Sequence, residues 1–316
     1  MSVLKHPSQP WGGDPTIQEE AETCRRWGFR LNSAGGRIRL DFDQEQLVPE
    51  WIRREAPAFG GERFRVKGFL RVDSTNEEAL RQARQGASEG TLIVAEEQTA
   101  GRGRRGRVWH SPAGAGLYFS LILRPGQPRR AWSLLTHAAS VALAETLEGL
   151  SAELPLRRPL EVDLKWPNDV LLSGRKCAGI LLETERADDM QPAAVVGVGV
   201  NVHAGSVPLM SASEAACLDE MAETAVPRRR VLVGFLQRFH HWHGIFESGN
   251  HRELLARWKS LSSMWDGTPV WIMEGASRRA VVTCGLDDNG ALRVRTAEGK
   301  VETVLAGDIR LRRAAE

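Results

Sequence analysis

The stretch with the clearest chemical potential is a run of arginines and glycines, Gly101–Arg107. Three glycines and four arginines fill its seven positions. Glycine permits backbone conformations and close approaches that side chains forbid, and guanidinium groups donate charge-assisted hydrogen bonds to carboxylates and phosphates. The run is therefore predicted to bind an anionic ligand, although a solvated basic turn would have the same composition.

The same run satisfies the glycine pattern of dinucleotide-binding folds, but its context excludes that assignment. In those folds a helix begins within the glycine loop, and an acidic residue follows about 20 residues later. Here a strand is predicted next, and Leu121–Arg124 occupies the region where the acidic residue belongs. The sequence also lacks the pattern G-x-x-x-x-G-K-[ST], so any ATP chemistry requires another architecture.

Two further polar sites lie near predicted strand ends. Lys165–Asp169 forms a proline corner in which Asn168 could pair with a base edge and Asp169 could hold Mg²⁺ together with substrate phosphates. Lys176 enters the apolar run Cys177–Leu182, where its ammonium could neutralise a reacting carboxylate and phosphate. Asn-Asp after proline is also ordinary turn chemistry, and a lone lysine is ordinarily a surface residue.

Hydroxyl and amide side chains cluster at a predicted helix start, Ser74–Asn76. Thr75 and Glu78 fit a capping box, and polar ligand groups bind well beside a helix N-terminus. Later in the chain, the glycine-containing strand Val196–Val200 would let a ligand or another backbone approach closely, and it ends at the polar residue Asn201.

With 316 residues, of which 42% are hydrophobic and 26% charged, the chain has the composition of an ordinary folded protein of two or three domains. Its formal net charge of +2 does not require nucleic acid or an anionic membrane as a partner. No window nears the roughly 18 apolar residues of a membrane span. The cysteines are widely separated, without metal-binding spacing: Cys24, Cys177, Cys217 and Cys284. We therefore expect a cytoplasmic protein with reduced thiols and no membrane segment.

The first domain-sized unit, residues 1–65, contains few elements. Residues 1–16 are predicted to form a loose leader, followed by a helix, Ile17–Trp27. Two short alternating runs, Gly28–Asn32 and Arg37–Phe42, predict a β-hairpin. A unit of this size buries little apolar surface alone, so we expect it to pack on the main domain.

The second unit, residues 66–264, has the pattern of an α+β domain with a mixed β-sheet backed by helices. The predicted helices run from the Thr75 cap to Gln85 and over Arg130–Leu150, Arg228–Phe246 and His251–Ser260. The predicted strands are Thr91–Glu97, Leu117–Leu123, Glu161–Trp166, Val170–Leu172, Cys177–Thr184 and Ala194–Val202. His240 and His243 share a face of one helix, but no third ligand accompanies them, so they are predicted to form a polar helix face.

The third unit, residues 265–316, changes to short alternating strands of a small β-barrel of about 50 residues. The predicted strands are Val270–Met273, Arg279–Cys284, Leu292–Thr296 and Val301–Val304.

Four motifs, taken in their order along the chain, resemble the biotin protein ligase family. They are Asp73–Asn76, Gln98–Arg107, Lys165–Asp169 and Arg175–Leu181. The resemblance runs from about residue 66 to the end, because Gly307–Arg312 is similar to the final barrel strand of that family. It implies a class II synthetase-like catalytic domain with a seven-stranded mixed sheet, followed by an SH3-like β-barrel.

The resemblance also implies roles for individual residues. Biotin would be bound by Ser74, Thr75, Asn76, Gln98, Arg102, Gly103, Arg104 and Lys176. ATP or the adenylate would be bound by Arg105, Arg107, Trp109, Asn168, Asn201, Asp308 and Arg312. Of these residues, Lys176, Arg102 and Arg104 would be catalytic. Asp169 would hold Mg²⁺ near the phosphates.

The implied activity is formation of biotinyl-5′-AMP from biotin and ATP, followed by transfer of biotin to a lysine of a biotin carboxyl carrier protein. The assembly could be a homodimer. A lipoate or octanoate transferase of the same fold is the nearest alternative, and the arginine-rich loop and C-terminal barrel argue against it. A biotin-responsive repressor is the second alternative.

The repressor alternative depends on the N-terminal unit. Residues 24–40 resemble only the last helix and wing of a winged helix-turn-helix, and too little chain precedes them for two more helices. DNA is therefore predicted to be an unlikely partner. Arginines that could contact phosphates keep the alternative open: Arg25, Arg26, Arg30, Arg37 and Arg39.

Overall fold

The computed structural model describes residues 30–34, 37–41, 47–59, 61–185, 191–274, 277–304 and 310–313. For residues 30–41, 274, 277 and 310–313 it describes the backbone alone. The predicted helix Ile17–Trp27 and the predicted site residue Asp308 lie outside the described residues, as does the side chain of Arg312.

The predicted hairpin is present near the N-terminus. Strands β1 (Arg30–Ala34) and β2 (Arg37–Asp41) pair antiparallel, with Ala34 opposite Arg37. Helix α1 (Pro49–Glu55) and two short strands, β3 (Ala58–Phe59) and β4 (Glu62–Arg63), follow.

The segment from Leu47 to Phe64 belongs to the main core, although it lies within the first predicted unit, residues 1–65. Its apolar side chains join the same buried cluster as the central sheet: Leu47, Ile52, Phe59 and Phe64. A buried ion pair fixes its start, because Glu96 accepts a hydrogen bond from the Leu47 backbone N–H and pairs with Arg228 at 2.6 Å.

A seven-stranded sheet forms the centre of the molecule, with the order β5-β6-β7-β11-β10-β9-β8. The strands are β5 (Arg65–Val72), β6 (Thr91–Gln98), β7 (Gly116–Leu123), β8 (Val162–Lys165), β9 (Asp169–Leu172), β10 (Arg175–Glu185) and β11 (Ala193–Asn201). Strands β5 and β6 are parallel, and the other neighbours are antiparallel. The predicted mixed sheet and the meander from β8 to β11 are confirmed.

Helices cover this sheet on both faces. They are α2 (Thr75–Arg84), α3 (Leu134–Ser151), α4 (Arg228–Glu247) and α5 (His251–Ser260). Alternate residues of β11, such as Val196 and Val198, join the large core that contains α3 to α5. Because successive strand residues face opposite sides, Gly197 and Gly199 lie on the other face, where α2 packs.

Helix α2 begins one residue earlier than predicted. Ser74, not Thr75, is the N-cap, and its side chain makes no capping hydrogen bond. The predicted capping box is therefore wrong, because the Thr75 hydroxyl bonds Gln98 and Ser120 instead. Glu78 bonds side chains further along the helix rather than the cap.

The predicted polar face of α4 is also wrong at one of its two histidines. His243 is 8% exposed and packs against the rings of Phe59 and Phe239. Burial lowers the pKa of His243 to about 4. Phe59 comes from the segment before β5, so the helix pattern alone gave no sign of this contact.

The C-terminal unit is a five-stranded antiparallel sheet in the order β15-β14-β13-β12-β16. Its strands are β12 (Asp266–Glu274), β13 (Ser277–Leu286), β14 (Leu292–Arg295), β15 (Val301–Val304) and β16 (Arg310–Arg313). This small β-unit agrees with the predicted SH3-like architecture. Among the described strands, β15 and β16 do not pair, so the barrel is left open.

The β13–β14 turn of this unit packs against the catalytic-domain side. Trp166 Nε1 donates to Gly290 O at 3.1 Å, and Ser133 Oγ donates to Asn289 O at 2.9 Å. A methyl group on Gly290 would lie 2.5 Å from the ring of His137. Burial at this contact lowers the pKa of His137 to about 4. This tight turn thus helps to join the two sheets, and apolar residues of the C-terminal sheet such as Val270 and Leu292 share the core of the central sheet.

No helix in the described part of the chain is both long and apolar enough to cross a membrane.

Candidate functional site

A cavity of about 540 Å³ lies where the start of α2, the arginine-rich loop and strands β9 to β11 meet. Most of the predicted site residues line it: Ser74, Thr75, Asn76, Gln98, Arg102, Gly103, Arg104, Arg105, Arg107, Trp109, Asn168, Asp169 and Lys176. Residues from four separate motifs therefore meet at one place, as their polar chemistry suggested.

At one end of the cavity the start of α2 is tied to β6. The Thr75 backbone N–H donates to Gln98 Oε1 at 2.8 Å. The amide nitrogen of Gln98 donates to Ser111 Oγ at 2.9 Å. Thr75 and Gln98 thus hold each other in place, and Ser111 extends this support to the segment that follows the arginine loop.

Asn76 is 3% exposed, and its amide is fully engaged within the protein. Its nitrogen donates to Leu181 O at 3.2 Å and to Glu183 Oε2 at 2.9 Å, and its oxygen accepts from Ser120 Oγ at 2.6 Å. This side chain lies directly over Gly197, where a methyl group would be 2.7 Å from the Asn76 amide carbon. The glycine therefore makes room for Asn76.

The arginine-rich segment is a compact loop with its own backbone bonds. Trp109 N donates to Gly101 O at 2.8 Å, and Gly103 N donates to Arg107 O at 2.7 Å. Arg105 has a φ of 63°, a left-handed conformation that costs a non-glycine residue about 1 kcal/mol or more. The backbone bonds stabilise the turn that presents the arginines.

Arg104 reaches into the cavity and contacts the proline corner. Its Nη1 donates to Asn168 Oδ1 at 3.2 Å, while the Asn168 amide nitrogen donates to Ile180 O at 2.8 Å. Burial lowers the pKa of Arg104 below its ordinary value, the nearby Asp169 carboxylate raises it, and the nearby Arg105 and Arg107 lower it. A partly desolvated cation of this kind gains strongly from an anionic ligand.

Lys176 and Asp169 form an ion pair at the other end of the cavity, with Nζ 2.6 Å from Oδ1. The ammonium also lies 5.2 Å from the centroid of the Trp109 ring. This indole packs on two sheet glycines, because a methyl group would meet it at 3.1 Å on Gly179 and 2.6 Å on Gly199. Trp109 Nε1 is buried without a hydrogen-bond partner in the described residues, which marks it as a donor available to a ligand.

Asn201 is the one described side chain among the predicted site residues that lies outside the cavity lining. It is 5% exposed, and its amide nitrogen donates to Ala216 O at 3.2 Å. The segment around Ala216 pairs with strand β10 at Lys176. Lys176 N donates to Glu214 O, and Ala216 N donates to Lys176 O, each at 2.9 Å. Asn201 thus stabilises the segment that pairs with Lys176, although its own side chain does not line the cavity.

Sequence reasoning missed three residues that build the site. Glu77 and Glu183 both pair with Arg102, and Ser120 bonds Asn76. The acidic residue after Asn76 was visible as part of a helix start, but Ser120 and Glu183 stand in strands with no local signal. Only the pairing of the strands brings them beside α2.

Comparison with known proteins gives two family matches. Residues 68–201 match the model described as "Biotin/lipoate A/B protein ligase family". Residues 284–312 match the model described as "Biotin protein ligase C terminal domain". The first match spans the motifs that line the cavity, and the second falls in the C-terminal sheet.

Individual relatives agree with these matches. A biotin–[acetyl-CoA-carboxylase] ligase of Paracoccus denitrificans is 36% identical over 73% of this chain and 95% of its own length. A bifunctional ligase/repressor BirA of Bacillus spizizenii is 30% identical over 92% of this chain and 85% of its own. The solved biotin protein ligase from Aquifex aeolicus in complex with biotin and ATP has a TM-score of 0.66 and 30% identity, over 79% of this chain and 99% of that one.

Proposed function

This chain belongs to the biotin protein ligase family, and from that premise we propose that it is an ATP-dependent enzyme that attaches biotin to a lysine of a biotin carboxyl carrier protein. The observation that carries the proposal is that Arg104 and Lys176, from distant parts of the chain, line the same cavity. The reaction joins two anions, a carboxylate and a phosphate, so paired cationic groups are what its chemistry requires.

In the proposed arrangement, biotin lies between the start of α2 and the arginine loop. The residues that would contact it are Ser74, Thr75, Gln98, Gly103 and Arg104. Asn76 has its amide engaged by the protein, so its part is to shape the pocket floor. The nucleotide would lie toward Trp109, Asn168 and Asp169, which line the cavity together.

The proposed reaction has two steps. First, a biotin carboxylate oxygen attacks the α-phosphorus of ATP, and the bond to pyrophosphate breaks to leave biotinyl-5′-AMP. Second, the acceptor lysine amine attacks the acyl carbon, AMP leaves, and the amine loses a proton. Lys176 and Arg104 stabilise the negative charge that builds up in the first step, and no protein nucleophile is needed.

Mg²⁺ is expected to accompany the nucleotide, where it would neutralise phosphate charge. Within the described residues no group of three or more His, Cys, Asp or Glu could hold a metal ion. A site with Asp169 as its carboxylate fits Mg²⁺, because this ion is commonly bound by one or two carboxylates together with substrate phosphates and water.

The acceptor class is inferred from the Paracoccus denitrificans ligase, whose name gives acetyl-CoA carboxylase as the protein that it modifies. A cytoplasmic location and a homodimer remain predictions. They would be tested by fractionation of cells and by light scattering of the purified protein with and without biotin and ATP.

Biotin-dependent exchange of labelled pyrophosphate into ATP tests the proposed function. We expect exchange with biotin and none with lipoate or octanoate at equal concentration. Lys176→Gln should reduce the exchange rate by about 100-fold or more, the effect typical of removing an electrostatic stabiliser. Lys300→Gln is the matched control, since that lysine is 74% exposed and pairs with Glu302 in the C-terminal sheet. Equal rates in the two variants, or exchange with lipoate instead of biotin, would refute the proposal.

Repression of transcription is a second candidate function, favoured by one observation. The match to the Bacillus ligase/repressor covers 92% of this chain, which necessarily includes part of the segment before residue 66. A gel shift with the promoter DNA of the protein's own biotin genes tests it. Biotin-dependent binding that weakens steeply with salt would support repression, and its absence would agree with a ligase that does not bind DNA.

A further inference from the structure

Arg102, which the resemblance places among the catalytic residues, is already occupied by two carboxylates. Its Nη1 pairs with Glu77 of α2, and its Nη2 donates to Glu183 Oε1 of β10 at 2.8 Å. Its side chain is 40% exposed. A guanidinium held on both terminal nitrogens is suited to fix its loop in place rather than to meet a reacting phosphate.

Glu183 also connects this arginine to the buried part of the site. Its second oxygen, Oε2, accepts a hydrogen bond from Asn76 Nδ2 at 2.9 Å. Asn76 in turn accepts from Ser120 Oγ, a hydroxyl with no exposure to solvent. A continuous line of polar contacts therefore runs from the centre of the sheet, through Asn76 and Glu183, to Arg102 at the start of the loop.

We propose that Glu183 is a positioning residue for the site, which fixes the Gly101–Arg107 loop to the sheet through Arg102. With this end held, the Gly103 backbone and the Arg104 side chain face the cavity. The inference rests on the proposed function for its effect on biotin, whereas its effect on the loop stands independently.

The network distinguishes this contact from an ordinary surface ion pair. An isolated exposed pair contributes little, because water screens it and two long side chains must be ordered. Here Glu183 is 22% exposed at its side chain and bonds Asn76 and Arg102 at once, and Asn76 is itself fixed by two further bonds. The carboxylate is thus held in place before the loop arginine reaches it.

Limited digestion with trypsin tests the anchor directly, because the loop carries four arginines. Glu183→Gln keeps the size of the side chain and removes its charge. We expect cleavage within Gly101–Arg107 to become about three- to tenfold faster, as loss of roughly one partly buried ion pair implies. Unchanged loop cleavage in Glu183→Gln would overturn the proposal.

Glu185→Gln is the matched control. Glu185 lies two residues further along β10 and pairs at 2.7 Å with Arg84 of α2, so the control removes a carboxylate that pairs with an arginine of the helix instead of the loop arginine. Its loop cleavage should equal that of the unmodified protein. The two variants should have the same urea midpoint of unfolding. If the midpoint falls only in Glu183→Gln, and trypsin also cleaves faster at sites throughout the chain, Glu183 has a general structural role and the proposal fails. Glu77→Gln is a second variant of the same anchor and should also speed loop cleavage.

Exchange kinetics separate positioning from chemistry. In Glu183→Gln the KM for biotin should rise about five- to tenfold, while the maximal exchange rate stays within about twofold, because the loop is displaced but the charges remain. In an Arg102→Met background, Glu183→Gln should have no further effect. Additive effects would overturn the proposed route through Arg102. If the unmodified protein shows no biotin-dependent exchange, the proposed function fails, and the trypsin result still decides whether Glu183 anchors the loop.

Discussion

A single methyl group added at Gly197 should disrupt the floor of the cavity. In Gly197→Ala the new methyl would lie 2.7 Å from the amide carbon of Asn76 and 3.0 Å from its nitrogen, well inside the 3.5–4.0 Å of a favourable carbon contact. Asn76 cannot move aside without giving up its bonds to Ser120, Leu181 and Glu183. Overpacking costs about 1–3 kcal/mol, and each hydrogen bond lost costs about 1 kcal/mol more. We therefore expect Gly197→Ala to reduce the free energy of unfolding by about 3–5 kcal/mol.

The assay is urea unfolding followed by tryptophan fluorescence, run as a double-mutant cycle. In an Asn76→Ala background the clashing amide is absent, so the added cost of Gly197→Ala should fall close to zero. The coupling energy should then be about 3 kcal/mol. Gly244→Ala on α4 is the control, because its methyl would meet nothing within 4 Å and alanine favours a helix by up to about 1 kcal/mol. A cost below about 1 kcal/mol, or the same cost in both backgrounds, would refute the assignment of Gly197 as space for Asn76.

Three further predictions concern stability. The pKa of His137 is about 4 in the folded protein and 6.5 ordinarily, so the unfolded chain binds the proton more readily. The free energy of unfolding that depends on neutral His137 is therefore complete above pH 6.5 and is lost as pH falls toward 4. Between pH 7 and 5 the His137 share of this loss is about 2 kcal/mol, so urea titrations at each pH should show a loss smaller by that amount in His137→Gln, where His243 still contributes its own share. Arg228→Met leaves Glu96 buried without its partner and should cost about 3–5 kcal/mol in thermal unfolding, whereas Arg65→Met, at an exposed pair, should cost less than about 1 kcal/mol. Trp166→Phe removes the donor to the β13–β14 turn and should cost about 1 kcal/mol or somewhat more in the same assay, and no change would mean that this bond is not formed.

Much of the fold could be predicted because local signals were strong. Alternation and turn residues located the strands of the sheet and the C-terminal unit to within a few residues, and the helix His251–Ser260 was predicted at both ends. The neighbour relation of β7 and β11 could not be predicted, because nothing local links two strands about 80 residues apart. That pairing places Ser120 opposite Gly197, and the whole Asn76 contact depends on it.

The site was predicted best where a motif sits on a loop or strand end. Arg104 of the loop, Asp169 of β9 and Lys176 of β10 all line the cavity, and β9 and β10 are neighbouring antiparallel strands. The family resemblance implied that Asn201 contacts the nucleotide, but its amide donates to Ala216 O, in the segment that pairs with the strand of Lys176. Glu183 was missed because a carboxylate in an alternating strand ordinarily faces solvent, and only the position of α2 makes it an internal contact.

The turn at Gly290 makes unfolding of the C-terminal sheet depend on that of the main domain. The turn covers His137 and accepts a hydrogen bond from the indole of Trp166, which belongs to the proline corner. Unfolding of the C-terminal sheet would therefore leave that corner without support. A calorimetric scan of the intact protein should therefore show one cooperative peak rather than two. A fragment cut before β12 keeps every described lining residue of the cavity but lacks Asp308 and Arg312, and it should lose nucleotide affinity.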